Sequence, residues 1–396
     1  MAKRTHRLLF VLMALAAGIL IVLLLTYLGT KSRGPLANLL DHAGNMVTDV
    51  ENRIIIEQRS DKRKDKLDWF QPYLTNPEMF KTSKPVLLGL YDNLSTQSFD
   101  NAFSLEKSLG TNFAFLHLYS AWGSKPEQEF PRNQVKAIME LGSVPVITWE
   151  PWLTDFDAEQ FPKLRKPELR DKGGMADIAR GKYDAYITAW ATEAKSMNKT
   201  IFIRLGHEMN DPYRYPWGPQ NNSAKDYVAA WKHVHKIFSA IGAKNILWIW
   251  SPHPSYGWFD AFYPGDKYVD WVGVNILNYG TVAIWSKWWT FAEMFGAHYT
   301  ELAKYGKPVM ITEFGCLTVG GNRADWFKEA LSGIPANYPA VKAVLFFHYS
   351  ADHTTTQQTV DWTILGDSVV KSVIAKQIKL WPDSLKPVLK ISPSHP

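Results

Sequence analysis

The sequence predicts an α/β chain, a (β/α)8 TIM barrel behind an N-terminal transmembrane helix. Three observations carry that prediction. Eight short apolar runs recur after residue 85, amphipathic helical patterns fill the gaps between them, and residues 8–28 form one uninterrupted apolar segment. A barrel of this type takes roughly 250 residues, which the 396-residue chain accommodates with an N-terminal extension to spare.

The apolar segment, LLFVLMALAAGILIVLLLTYL, carries no charge and is long enough to cross a hydrocarbon core of about 30 Å. Lys3, Arg4 and Arg7 precede it, which keeps the N-terminus cytoplasmic and the remainder outside. A cleaved signal peptide is the alternative, but its apolar region is usually about 7–15 residues and ends in small residues. No convincing small-x-small site follows Leu25. Residues 1–30 are therefore expected to be a cytoplasmic tip and membrane anchor. Residues 31–80, with the charged run QRSDKRKDK, read as a stalk or linker, 81–385 as the barrel, and 386–396 as a tail.

The barrel strands are expected at VLLGLY (86–91), FAFLHLY (113–119), VPVITW (144–149), IFIRLG (201–206), ILWIW (246–250), VDWVGVN (269–275), KPVMIT (307–312) and VKAVLFF (341–347). Their near-continuous apolar character suits parallel strands buried on both faces. The clearest helix follows Ser223, whose spacing to Asp226 resembles a capping box. It continues through Val228, Trp231, Val234, Phe238 and Ile241 to a stop at Gly242. A doubly wound open sheet is the structural alternative, but no Gly-x-Gly-x-x-Gly follows the first strand, so nothing supports a dinucleotide site.

Composition narrows the function. Of the formal net charge of +6, residues 1–66 hold +5, with eleven Lys/Arg against six acids, so the barrel is near neutral and nucleic-acid binding is not expected. The single cysteine, Cys316, excludes an internal disulfide and a cysteine zinc cage. Seventeen Trp, seventeen Tyr and twenty Phe suit a protein that stacks on flat-faced ligands such as sugars.

Chemistry in this fold sits at the C-terminal ends of the strands. There the sequence places Asp92-Asn93, Tyr119, Trp149-Glu150, His207-Glu208, Ser251 with His253, Asn275, Glu313 and His348-Tyr349. HEMND is not a zinc helix, because position 211 is Asp rather than a second His and Pro212 blocks helix continuation. A metal site from His253, His348 and His353 is disfavoured against polar residues of a sugar cleft, and no cofactor or metal is expected. Glu208 and Glu313 end the fourth and seventh runs, across the mouth from one another. Two facing carboxylates at about 5–5.5 Å suit a retaining glycosidase, one as nucleophile and the other as acid/base.

Together LGHEMN, ILWIWSP, FYPGDKYVDWVGVN and KPVMITEFGC resemble glycoside hydrolase family 26, over residues 85–365. The resemblance implies a β-mannanase or, less often, a β-1,3-1,4-glucanase. It implies Glu208 as acid/base, Glu313 as nucleophile and His207 as a sugar contact beside the scissile bond. Arg204 and Asn210 would support the catalytic Glu, and Trp149 would join the sugar-binding floor. Family members carry a Tyr in the turn after strand six that holds the nucleophile; here Leu277 stands in its place and Tyr279 follows two positions later. Trp217, Trp250, Trp258, His253 and His348 complete the expected substrate-binding set. The expected protein is a single-pass membrane, extracytoplasmic retaining endo-β-glycanase acting on a β-1,4-linked, mannan-type polysaccharide, with mixed-linkage glucan or exopolysaccharide as alternative substrates. A tether hints at a partner in polysaccharide synthesis. A polysaccharide-binding or synthesis-accessory protein is the second class: both Glu argue against it, Leu277 for it.

Overall fold

A computed structural model of the chain describes residues 62–95, 98–282, 287–356 and 358–386. The apolar segment 8–28, residues 31–61 of the expected stalk and nearly all of the expected tail lie outside the described residues. Among the described residues no helix is long and apolar enough to cross a membrane.

Eight parallel strands close into a barrel in chain order. They are β1 (Leu87–Asp92), β2 (Phe115–Ala121), β3 (Val144–Glu150), β4 (Ile201–Leu205), β5 (Ile246–Trp250), β6 (Trp271–Asn278), β7 (Val309–Cys316) and β8 (Val341–His348). β1 pairs with β8 from Leu87↔Ala343 to Asp92↔His348, which closes the ring. The eight expected runs coincide with these strands. The helices are α1 (Gln71–Thr75), α2 (Asp100–Leu109), α3 (Arg132–Glu140), α4 (Gly174–Ala179), α5 (Asp184–Ser196), α6 (Ala224–Ile241), α7 (Phe259–Phe262), α8 (Ala297–Ala303), α9 (Arg323–Asn337) and α10 (Ser368–Leu380). α6 is bounded as its sequence implies: the Ser223 side chain accepts from the Asp226 backbone N–H at 3.1 Å, and Gly242 ends it at φ +80°.

Strand alternation sorts side chains into a barrel interior and a strand–helix layer. The interior is apolar at its lower end, where Phe115, Val146, Phe202, Trp271 and Leu345 pack together. Here the expectation of a stalk over residues 62–80 is corrected. That segment is the barrel's floor. Leu67, Phe70, Tyr73, Leu74 and Phe80 belong to the same buried cluster, with the Phe80 ring 4.9 Å from Phe202 and 5.6 Å from Phe115. The reason is hydrophobic: open apolar strand ends need a cover.

The charged run misleads because one of its charges is buried. Arg63 is 4% exposed and forks onto Glu106, with Nη2–Oε1 at 2.6 Å and Nε–Oε2 at 3.1 Å. It also donates to the carbonyls of Leu141 and Phe113 and to Ser143 Oγ. The arginine thus ties the floor to α2 and to the entry of β3.

Three expected sugar-binding residues turn out to face the strand–helix layer. Trp149 is fully buried, stacked on Trp190 at 4.3 Å and packed on Trp122 at 4.6 Å. Trp250 is fully buried among Phe259, Tyr263 and Tyr305, with its indole N–H on the Phe262 carbonyl. His348 is buried and accepts the Ile364 backbone N–H on Nδ1 at 3.2 Å. None of the three can meet a ligand in the barrel mouth, because each lies on the face of its strand opposite to the interior.

Two stability predictions follow from these buried polar groups. Arg63→Leu leaves Glu106 buried without its partner and lowers the unfolding free energy by about 3–5 kcal/mol, read from urea denaturation. The double variant Arg63→Leu/Glu106→Leu recovers most of that loss. Burial holds the His348 imidazole down at about 4. The unfolded chain therefore binds a proton there first, so stability present above about pH 6.5 falls as pH drops towards 4. A His348→Gln variant shows a shallower fall than wild type over that window, and parallel curves would contradict the assignment.

Candidate active site

The barrel interior changes character towards its C-terminal end, where polar side chains replace apolar ones. At the centre stands Arg204 on β4, fully buried. Its Nε donates to Thr148 Oγ1 at 2.8 Å, and Nη1 donates to Asn275 Oδ1 and Thr312 Oγ1, both at 2.7 Å. Nη2 donates to Glu313 Oε1 at 2.5 Å and to Tyr119 Oη at 3.3 Å. Burial works against the cation, but the Glu313 and Tyr119 oxygens outweigh it and push the guanidinium's pKa up. A buried charge is tolerated here because every donor it has is used.

Glu313 reaches this arginine through a β-bulge. In the β6–β7 ladder Val274 lies opposite Ile311 but Asn275 lies opposite Glu313, so Thr312 is an extra residue on β7. Consecutive strand residues normally face opposite ways. The bulge lets both Thr312 and Glu313 bond to Arg204. Tyr119 Oη adds a second bond to the same Glu313 Oε1, at 2.5 Å. Burial, then the Glu313 charge, drives the Tyr119 phenol's pKa far up, so it is a donor at any working pH.

Glu208 arrives by a turn rather than by strand alternation. β4 ends at Leu205, and Gly206 (φ +48°) and Glu208 (φ +51°) then turn the chain through left-handed conformations. Gly206 adopts this without strain, whereas for Glu208 it costs about 1–3 kcal/mol. The backbone is held there by the Glu208 N–H on the Ser251 carbonyl at 2.7 Å. The carboxylate, 3% exposed, takes the Asn275 Nδ2–H on Oε1 at 2.9 Å. Oε2 is buried and accepts no hydrogen bond, with Arg214 Nη1 3.8 Å away. Asn275 thus joins the two carboxylates, bonding Glu208 directly and Glu313 through Arg204.

Of the other expected residues, His207 lies beside this network, its ring 6.3 Å from that of Tyr119. His207 is buried, with Nε2 2.9 Å from Tyr215 Oη, and burial followed by the charges of Arg204 and Arg214 keeps the ring neutral. Asn210 does not touch Glu208. It clamps the loop after β5, accepting the His253 N–H and donating to the carbonyls of His253 and Gly257. Trp217 is 1% exposed and supports from behind, its indole N–H on the His207 carbonyl at 2.7 Å and its ring stacked on Tyr215 at 4.6 Å. Tyr279 is buried against Trp362 and donates to Thr355 Oγ1 at 3.0 Å. The bond to Glu313 expected from a strand-six tyrosine comes instead from Tyr119 on β2. Trp258 is 71% exposed on the loop after β5, and near it Tyr213 and Tyr256 pair edge to face at 5.9 Å, an aromatic rim whose two tyrosines sequence reading passed over.

Sequence reading also gave no role to Thr148, Asn275, Glu150, Arg214 or Tyr215. Tyr119, Glu150 and Asn275 stand out in sequence only as polar strand ends, and Thr148 carries no signal beyond sharing the inward face with Val146 and Glu150. Among the described residues one trio, Glu208, Asp211 and His253, presents a ligand atom each within 4.8 Å of one another. The guanidinium of Arg214, 3.8 Å from Glu208 Oε2, opposes a cation there.

The family model for Glycosyl hydrolase family 26 matches residues 148–341. Endoglucanase H of Acetivibrio thermocellus is 32% identical over 281 residues, 68% of this chain and 28% of that protein. A mannan endo-1,4-beta-mannosidase of Bacillus subtilis is 28% identical over 131 residues, 31% of this chain and 33% of that one. The chain therefore spans a third or less of the length of these two relatives. In fold it is similar to the Bacillus subtilis mannanase BCman, with a TM-score of 0.53 at 18% identity over 82% of this chain and 96% of that one. The barrel, the family match over residues 148–341 and the Endoglucanase H similarity thus agree on glycosyl hydrolase family 26 as the family this chain resembles.

Proposed function

We propose that the barrel is a retaining endo-β-glycanase that cleaves a β-linked glucan or mannan backbone by double displacement. One observation carries the reading: two buried carboxylates at the barrel mouth each have one oxygen held and one available. Arg204 and Tyr119 both bond to Glu313 Oε1, which leaves Oε2 to attack the anomeric carbon. Asn275 holds Glu208 Oε1, which leaves the unbonded Oε2 to carry the proton to the departing glycosidic oxygen. Cleavage then produces a glycosyl ester on Glu313 and an ionised Glu208. In the second step Glu208 removes a proton from water, whose oxygen displaces Glu313 and releases the sugar with its configuration retained. His207 and Trp258 contact the polymer, His207 beside the scissile bond and Trp258 on the exposed rim.

The mannan reading rests on the family's usual substrate and on the mannosidase relatives. The similarity to Endoglucanase H, the higher in identity of the two reported, favours a β-glucan such as a mixed-linkage glucan. A synthesis-accessory role without hydrolysis receives less support, since Tyr119 supplies the bond to Glu313 that Leu277 had put in doubt. Residues 8–28 are proposed to anchor the chain with the barrel outside the cytoplasm, and a polysaccharide-synthesis partner remains part of that proposal.

Reducing-sugar release from barley mixed-linkage glucan, glucomannan and linear mannan tests the activity. Wild type is expected to release sugar from at least one, and Glu313→Ala to lose at least about 10⁴-fold. Proton NMR of the first product should show the β-anomer before mutarotation; an initial α-anomer would sink the retaining mechanism. Tyr119→Phe removes one charge-assisted bond from the nucleophile and should lower kcat about 10- to 100-fold, with a much smaller effect on KM.

A further inference from the structure

A third carboxyl group lies in the mouth, and the two-carboxylate mechanism does not use it. Glu150 ends β3, on the same inward face as Thr148. Its position is fixed from several sides. Its carbonyl accepts the N–H groups of Trp122 and Trp152, and its Oε2 accepts the Trp152 indole N–H at 3.1 Å. Trp152 is itself braced edge-on against Trp217 at 5.4 Å. The other oxygen, Oε1, stands 3.9 Å from His207 Nδ1. That separation is too long for a hydrogen bond. His207 Nδ1 is buried and has no hydrogen-bond partner, although the ring's other nitrogen is 2.9 Å from Tyr215 Oη. A buried polar atom left open is costly unless something completes it.

We propose that Glu150 and His207 form a reading head for one sugar hydroxyl, and that Glu150 is a specificity-determining residue of this enzyme. In this arrangement Tyr215 Oη donates to Nε2 and the ring hydrogen sits on Nδ1. The Nδ1–H then donates to the hydroxyl oxygen, and the hydroxyl donates its own hydrogen to Glu150 Oε1. Only a group that is donor and acceptor at once satisfies both sides, which is what a pyranose hydroxyl provides. The neutral state of His207 agrees, since an imidazolium would draw Glu150 into a direct ion pair. Burial, with Glu313's charge adding to it, raises the Glu150 carboxyl to about 7, so both of its states are accessible near neutrality and both can accept. The hydroxyl is assigned to the sugar next to the scissile bond, where the proposed function puts His207. This inference rests on the glycanase reading above, and its test separates the two.

The experiment compares wild type, Glu150→Gln and Glu150→Ala on 4-nitrophenyl β-cellotrioside and β-mannotrioside, and on their versions lacking one hydroxyl on the sugar that carries the leaving group. On the parent substrate Glu150→Ala is expected to lower kcat/KM about 10- to 100-fold, with Glu150→Gln, which keeps an acceptor, losing less. For one deoxy position wild type should lose a similar factor, and Glu150→Ala should then lose under about 2-fold more. Equal losses from Glu150→Ala on parent and every deoxy substrate would overturn the proposal, since a merely structural role predicts that pattern. If wild type hydrolyses neither parent, the glycanase reading fails, and calorimetric titration with cellohexaose and mannohexaose tests the reading head alone. Weaker binding of either by Glu150→Ala would support it. Equal binding, or none by wild type, would overturn it.

Discussion

The arrangement of the mouth depends on a single buried guanidinium. Arg204 has five N–H donors and makes five hydrogen bonds, to Thr148 on β3, Tyr119 on β2, Asn275 on β6, and Thr312 and Glu313 on β7. An isolated cation in that position would be prohibitive, and a cation with four partners would leave a donor stranded. Complete satisfaction makes the residue a staple across half the barrel. It also gives Glu313 a charge partner that cannot drift, because every other contact of the arginine resists its movement. The same network reaches Glu208 through Asn275, so the two carboxylates are positioned by one rigid assembly rather than by two independent loops.

Much of the fold is legible in sequence because parallel barrel strands are buried on both faces and advertise themselves as apolar runs. Their ends were legible too, since chemistry at the mouth requires polar residues where the runs stop. Orientation was harder. Trp149 stands beside Glu150 in VPVITWE, yet alternation sends Val144, Val146, Thr148 and Glu150 inward and Trp149 into the helix layer. Aromatic content alone cannot say which face a ring occupies, and a tryptophan fills the strand–helix layer as readily as it stacks on a sugar. The floor was misread for the opposite reason. A run of charges reads as solvated, and nothing local to QRSDKRKDK announces that Arg63 meets Glu106 forty-three positions later.

The bulge at Thr312 and the left-handed turn at Glu208 share a physical lesson. Both catalytic candidates occupy positions that regular strand geometry would not give them. Without the extra residue on β7, Thr312 and Glu313 would face opposite sides and Arg204 could hold only one. Without the turn through Gly206 and Glu208, the fourth strand would continue past the mouth. Period-two reasoning finds the strand and its end, but such departures are set by contacts from other strands, here Ser251, Asn275 and Arg204. Local strain at Glu208 is sustained because those contacts over-determine it.

The tyrosine on β2 shows why a displaced motif residue need not mean a lost function. The role proposed for Glu313 needs a donor on one carboxylate oxygen, at a fixed distance and with its proton retained; it does not need that donor from a particular strand. Tyr119 meets the requirement, since burial and the neighbouring negative charge hold its proton firmly and its Oη sits 2.5 Å from Glu313 Oε1. Tyr279 is then released to pack against Trp362 and bond to Thr355, bracing the loop after β8. Because Tyr119 and Arg204 bond to the same oxygen, the negative charge of Glu313 is stabilised on one side only. A donor on each oxygen would have stabilised the carboxylate more and made it a poorer nucleophile, so the crowding of both donors onto Oε1 is the feature on which the proposed covalent role of Glu313 depends.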